Sequence, residues 1–242
     1  MTEKRSAAVL LSVAAAAAVA LFLHAPIPQD PAYHAFADVR PFAGIPNFAD
    51  VLSNLPFLIV GLYGLTRRPA QPRMKTGCLV LCAGIALVSL GSAYYHLSPT
   101  SATLLWDRLP MTVAFMALFS LLLEDRVMDA KTLMPLLAAG IASAVYWHYT
   151  DDLRPYILVQ FLPIVLMPLI LLFYPKKNLD GKALMCAVVL YAAAKAFEFY
   201  DRQVLEALGA LSGHSVKHLL AGAATICIIT AVPVKEAACC SD

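Results

Sequence analysis

Residues 76–96 read TGCLVLCAGIALVSLGSAYYH, an apolar run that closes on a serine, two tyrosines and a histidine. It holds no Lys, Arg, Asp or Glu. Wound as a helix at about 1.5 Å per residue, a run of this length spans ~30 Å, the hydrocarbon thickness of a bilayer. The stretch therefore reads as a membrane-spanning helix with an ionisable side chain left at one end.

Seven more such runs lie near residues 7–24, 48–66, 109–124, 132–148, 155–174, 183–200 and 214–233. Breakers separate them: Pro26, Pro28, the RRPAQPR segment at 67–73, Pro99, Pro110, Pro155, Pro175 and Gly213. Pro110 and Pro155 suit a first helical turn, where a missing N–H leaves nothing unsatisfied. Hydrophobic residues make up 60% of the 242 and charged residues 14%, with a mean hydropathy of +0.72. A soluble domain carries roughly a quarter charged residues. The fold class expected is an all-α polytopic transmembrane bundle, a seven-helix core with one extra N-terminal span. A net charge of +2 without a basic patch beyond short loops excludes a nucleic-acid partner. Cys78, Cys82, Cys186, Cys227, Cys239 and Cys240 follow neither zinc-site nor disulfide-framework spacing and read as small apolar fillers.

Loop charge sets the orientation. Lys4, Arg5, Arg67, Arg68, Arg73, Lys75, Arg126, Lys131, Lys176, Lys177, Lys182 and Lys235 fall on one side, 12 of the 18 basic residues. The opposite side holds Arg40, Arg108, Arg154 and Arg202, with Lys217 just inside the last span. By the positive-inside rule both termini are cytoplasmic, as the even span count also requires. Residues 1–25 read either as a signal segment or as an uncleaved anchor, with the anchor expected; residues 26–242 form the membrane domain. The expected location is the cell membrane.

This topology brings His96, at the end of the third span, to the same leaflet as His214 and His218, at the start of the eighth. His214 and His218 are four apart and share a helix face. Two imidazoles so spaced can approach one metal, and His96 adds a third ligand with a fourth position left for water, the pattern of catalytic zinc. Interfacial histidines also serve as amphipathic anchors, so the residues alone leave both readings open. Ser92 lies one turn deeper than His96 and either bonds back to its own helix or faces the site. Asp107, in LLWDRLPM, reads either as a first-turn anion or as a proton acceptor beside the metal.

Ser92, His96, Asp107, His214 and His218, in that order and spacing, resemble the alkaline ceramidases, part of a seven-helix hydrolase superfamily with adiponectin-receptor-like proteins. Ser53 and Asn54 in VLSNLPF match the family's Ser-Asn element, and the resemblance extends over about residues 38–235. It implies Zn²⁺ on His96, His214 and His218, with Asp107 and Ser92 catalytic beside it. The substrate implied is a ceramide-like membrane lipid, cut at its amide bond to a fatty acid and a sphingoid base. The family's acidic, tryptophan-containing calcium segment is missing from YHAFADVRPFAGIPNFAD. Asn47 stands where a carboxylate ligand is expected, and Asp38 and Asp50 do not restore the pattern, so Ca²⁺ is not expected. A lipid esterase or phospholipase-like hydrolase and a non-catalytic receptor-like protein are the alternatives.

Three further groups carry weaker expectations. Lys195, Glu198 and Asp201 in KAFEFYD read as an internal ion pair bracing the bundle. His148, Asp151 and Asp152 read as a solvated loop on the active side. Tyr94, Tyr95, Trp106 and Trp147 read as an interfacial aromatic belt.

Overall fold

The computed structural model describes residues 2–175 and 177–235. Its helices are α1 (Glu3–Phe22), α2 (Phe48–Leu52), α3 (Leu55–Thr66), α4 (Lys75–Leu97), α5 (Ser101–Arg126), α6 (Leu133–Thr150), α7 (Arg154–Phe173), α8 (Gly181–Phe199), α9 (Asp201–Leu208) and α10 (Gly213–Ala231). The result is an all-α polytopic bundle. Cys239 and Cys240 lie outside the described residues.

Six segments are long and apolar enough to cross a membrane unaided: α1, α2 with α3, α4, α5, α7 and α10. A seventh is counted if α8 and α9, which meet at an 84° bend, are taken together as one span. The span expected at 132–148 folds as α6, packed between α5 and α7, but is not among the six. Its last turn, Trp147 to Thr150, is polar and aromatic rather than aliphatic. Apolar side chains of α4, α5, α7 and α8, among them Leu81, Leu122, Ile170 and Leu184, form the core.

Several helix ends find side-chain partners for their backbone polar groups. Thr100 and Thr103 form a reciprocal capping box at the start of α5. Ser212 accepts from the Ser215 amide at the start of α10. At the basic end, Asp125 accepts from the amides of Asn178 and Leu179, and Arg126 donates to the carbonyls of Tyr174 and Leu179. The chain after α10 pairs with the α3–α4 connection, Ala70 N to Pro233 O at 2.8 Å and Lys235 N to Arg68 O at 3.0 Å.

The start of α5 departs from the sequence reading. The helix begins at Ser101, not near 109, so Pro110 sits inside it and Asp107 lies well past the cap. Pro110 has no N–H for the carbonyl four residues back, that of Trp106. That carbonyl points at α4: a Cβ added to Gly91 would lie 2.0 Å from it. The pair draws α4 and α5 together beside Ser92 and Asp107. Gly91→Ala should therefore cost about 1–3 kcal/mol through overpacking, seen as a lower melting temperature of the detergent-solubilised protein. An unchanged melting temperature would show that the two helices have slack there.

Candidate metal centre and adjoining cavity

The end of the bundle opposite the basic loops gathers the last turn of α4, the first turns of α10, and the α2–α3 corner. His96, His214 and His218 are all buried, and their ligand-capable atoms lie within 4.8 Å of one another. The ring centroids are 4.8–5.0 Å apart. His96 Nδ1 is buried without a hydrogen-bond partner. No hydrogen bond links the three rings to one another, and their facing nitrogens form a group that could hold a metal ion.

Neighbouring residues fix these rings. Ser53 Oγ donates to the Asp50 carbonyl at 3.0 Å and lies 2.7 Å from Nδ1 of His218. With its one proton so committed, Ser53 accepts from Nδ1–H, which leaves Nε2 of His218 bare for a ligand. Asn47 Nδ2 donates to the His96 carbonyl at 2.7 Å. Asp50, fully buried, accepts from Ser215 Oγ at 2.6 Å and Ser212 Oγ at 3.2 Å, anchoring the first turn of α10. Asp201 accepts the His214 amide at 2.7 Å. Gly213 permits this contact, since a Cβ there would meet the Phe197 carbonyl at 2.1 Å and Asp201 Cα at 2.7 Å.

The α1–α2 connection, residues 23–47, crosses over this end as a strap. Phe36 stacks against His96 and His214, both at 4.6 Å between centroids. Ala37 N donates to the second oxygen of Asp201. His34 bridges Tyr95 Oη and Ser101 Oγ. Burial, and then the Arg108 charge, push the His34 imidazole below its ordinary value, so near neutral pH it is uncharged. Arg40 binds both oxygens of Asp38 and the carbonyls of Gly209 and Ala210, and its hydrogen bonds hold Asp38 below the usual carboxylate range. Gly209 closes α9 at a φ of 70°, a left-handed cap that suits glycine.

Below the strap lies a cavity of about 450 Å³. His218, Ser92, Asp107 and Lys217 line its polar end, and Leu81, Ile85, Leu118 and Ile228 its apolar depth. Ser92 and Asp107 thus share a wall with one histidine of the cluster. Lys217 Nζ lies 2.9 Å from Nε2 of His214 and 3.1 Å from a Glu198 oxygen. Lys195 completes an ion-paired trio on Glu198. The bracing role read for Lys195 and Glu198 agrees with these contacts, while Asp201 instead holds His214 and the strap. Lys217 had no role in the sequence reading. Its sign lay in position alone: a lysine between two candidate ligands on one helix.

Two expectations are corrected. Tyr94 and Trp106 are 50% and 56% exposed on the bundle exterior, as belt residues are, but Tyr95 and Trp147 are 1% and 2% exposed. Helix phase divides them: Tyr95 faces His34 and Phe36, and Trp147 stacks on Arg108, its ring centroid 4.0 Å from the guanidinium carbon. Nor is the 151–152 loop simply solvated. Asp152 is buried on Arg154 and the Ile27 amide, and Asp151 accepts from the Gln29 amide at 3.0 Å. Both acids tie the strap to the start of α7. His148 is exposed.

Arg108 is 6% exposed, and no carboxylate among the described residues ion-pairs with it. It donates to Gln29 Oε1 at 2.7 Å and sits among Trp147, Tyr156 and Tyr33. Cation–π contacts return about 2 kcal/mol where water is excluded, against a desolvation cost of several kcal/mol per buried ion.

A family model described as Ceramidase matches residues 43–238. No curated protein and no solved structure matches the chain.

Because Asp201 joins the strap to α10, Asp201→Ala should lower stability by about 1–3 kcal/mol through two unpaired amides. It should also speed chymotryptic cleavage after Phe36, next to the Ala37 amide that Asp201 holds, in the detergent-solubilised protein. Equal cleavage rates would show that Arg40 and Asp38 hold the strap alone.

Proposed function

The chain belongs to the ceramidase family and so to the ceramide-hydrolysing membrane enzymes, and from that premise we propose a zinc-dependent hydrolase that cuts the amide of a ceramide-like lipid. The observation that carries the reading is the buried convergence of His96, His214 and His218. Three neutral nitrogen donors with room for a further ligand suit catalytic zinc. The bare Nε2 of His218 and the orphaned Nδ1 of His96 fit a cation better than a structural hydrogen-bond cluster. The pairing of Asp38 with Arg40 and of Asn47 with the His96 carbonyl supports a reading without calcium.

Zinc held by the three histidines would supply Lewis-acid polarisation of the amide carbonyl and a more acidic water. Asp107 takes a proton from the attacking water as its oxygen bonds to the acyl carbon. The C–N bond then breaks, and the same proton goes to the leaving nitrogen. Ser92 donates to the carbonyl oxygen as negative charge gathers there, a contribution of about 3 kcal/mol in other hydrolases. The apolar depth of the cavity holds the acyl chain, and the strap limits water at the reacting end. The basic loops face the cytoplasm and the histidines the opposite leaflet of the cell membrane, by the positive-inside rule.

Metal analysis of the purified chain should give one zinc, lost in His96→Ala, with fatty acid released from ceramide and none from phosphatidylcholine. Release from phosphatidylcholine alone would overturn the amide assignment. Asp107→Asn should keep its zinc and lose turnover by about 10²–10⁴-fold, the range of general-base contributions. Near-normal hydrolysis by that variant would remove Asp107 from the role. Ser53→Ala should weaken zinc affinity by roughly 10–100-fold, as loss of a ligand-orienting partner does.

A further inference from the structure

Arg108 is the buried charge that amide hydrolysis leaves unused. Its guanidinium lines the same cavity as Ser92, Asp107 and His218. Gln29 is its one hydrogen-bond acceptor, Nη1 is buried without a partner, and no carboxylate among the described residues ion-pairs with it. The two lysines of the cavity differ, since both are matched by Glu198. Asp107, the next residue back, lies outside ion-pair distance. As proton carrier it also loses its charge during each turnover, so it is no standing counter-ion for Arg108.

The guanidinium is also held rigidly. Trp147 and Tyr156 flank it at 4.0 and 4.6 Å, and Gln29 reaches it from the strap. A planar donor fork fixed in an apolar surround, with a free N–H, suits a carboxylate or phosphate rather than a hydroxyl. Arg108 lies at the strap end, away from the apolar depth that takes the acyl chain. An anion it binds therefore belongs on the amine half of the substrate.

We propose that Arg108, braced by Trp147, Tyr156 and Gln29, is a specificity site for an anionic group, so that the preferred substrate is an N-acyl lipid with a phosphate or carboxylate near its amide. This rests on the amide-hydrolase reading. Ceramide 1-phosphate and an N-palmitoyl amino acid test phosphate and carboxylate against plain ceramide.

One or both anionic lipids should show a KM at least about tenfold below that of ceramide. Arg108→Gln should shrink that preference to below about threefold, and Arg108→Lys should restore part of it, with KM moving more than kcat. A preference that survives Arg108→Gln, or an equal loss on every substrate, overturns the inference. A binding assay keeps the question separate from catalysis. In the zinc-loaded Trp106→Phe protein, emission from Trp147 should shift saturably with dodecyl phosphate or laurate and not with dodecanol. An equal response to dodecanol also overturns the anion site. An anion-selective shift with no hydrolysis of any amide would instead sink the hydrolase reading and leave the site standing. Ceramide hydrolysis without an anion-selective shift would do the reverse.

Discussion

Three imidazoles face one another at the end of an apolar bundle, where each polar atom must find a partner inside the protein. The surrounding architecture answers that demand in layers. Ser53 binds His218 and relays to the Asp50 carbonyl, Asp50 binds the two serines that start α10, and Asn47 holds the carbonyl of His96. These contacts tether the rings from behind, while Asp50 Oδ2 and His96 Nδ1 stay without a partner among the described residues. The α2–α3 corner, short and irregular beside long spans, carries three of the tethers. Its irregularity is what lets side chains reach across to both α4 and α10.

The approach of α4 to α5 is set by a different device. Pro110 leaves the Trp106 carbonyl without its usual helical donor, and Gly91 leaves room for that carbonyl against α4. Ser92 follows Gly91 and Asp107 follows Trp106, so this close approach of the two helices sits one residue from each proposed catalytic group. The spacing that looks like a sequence motif is thus also a packing register.

Much of this was legible in the chain. Apolar runs and breakers marked the helices, and loop charge brought His96, His214 and His218 to one end without reference to their chemistry. Where expectation and structure part, the cause is local. Asp107 and Pro110 were read at a helix start because proline favours that position, yet the Thr100–Thr103 capping box begins the helix earlier. Tyr95 and Trp147 have the composition of a belt, but only the helix phase shows them turned inward. Ionic residues near an interface do not announce their partners: Lys217 pairs with Glu198 on another helix, and Asp152 with the strap 125 residues earlier.

The strap shows how this site differs from one built by the bundle alone. The family match begins at residue 43, yet Gln29, Tyr33 and Phe36 reach the centre or Arg108 from before that point. The histidines and their tethers belong to the matched region; the cover over them does not. In the proposed reading a reaction and its selectivity can then vary separately, since the bundle holds the three histidines while the strap borders the polar end of the cavity. Arg108 stands at that junction, on a helix within the matched region but hydrogen-bonded only to the strap. Its single neutral acceptor makes the strap a poor counter-ion, and an anionic group on the substrate is what the proposed specificity would place there.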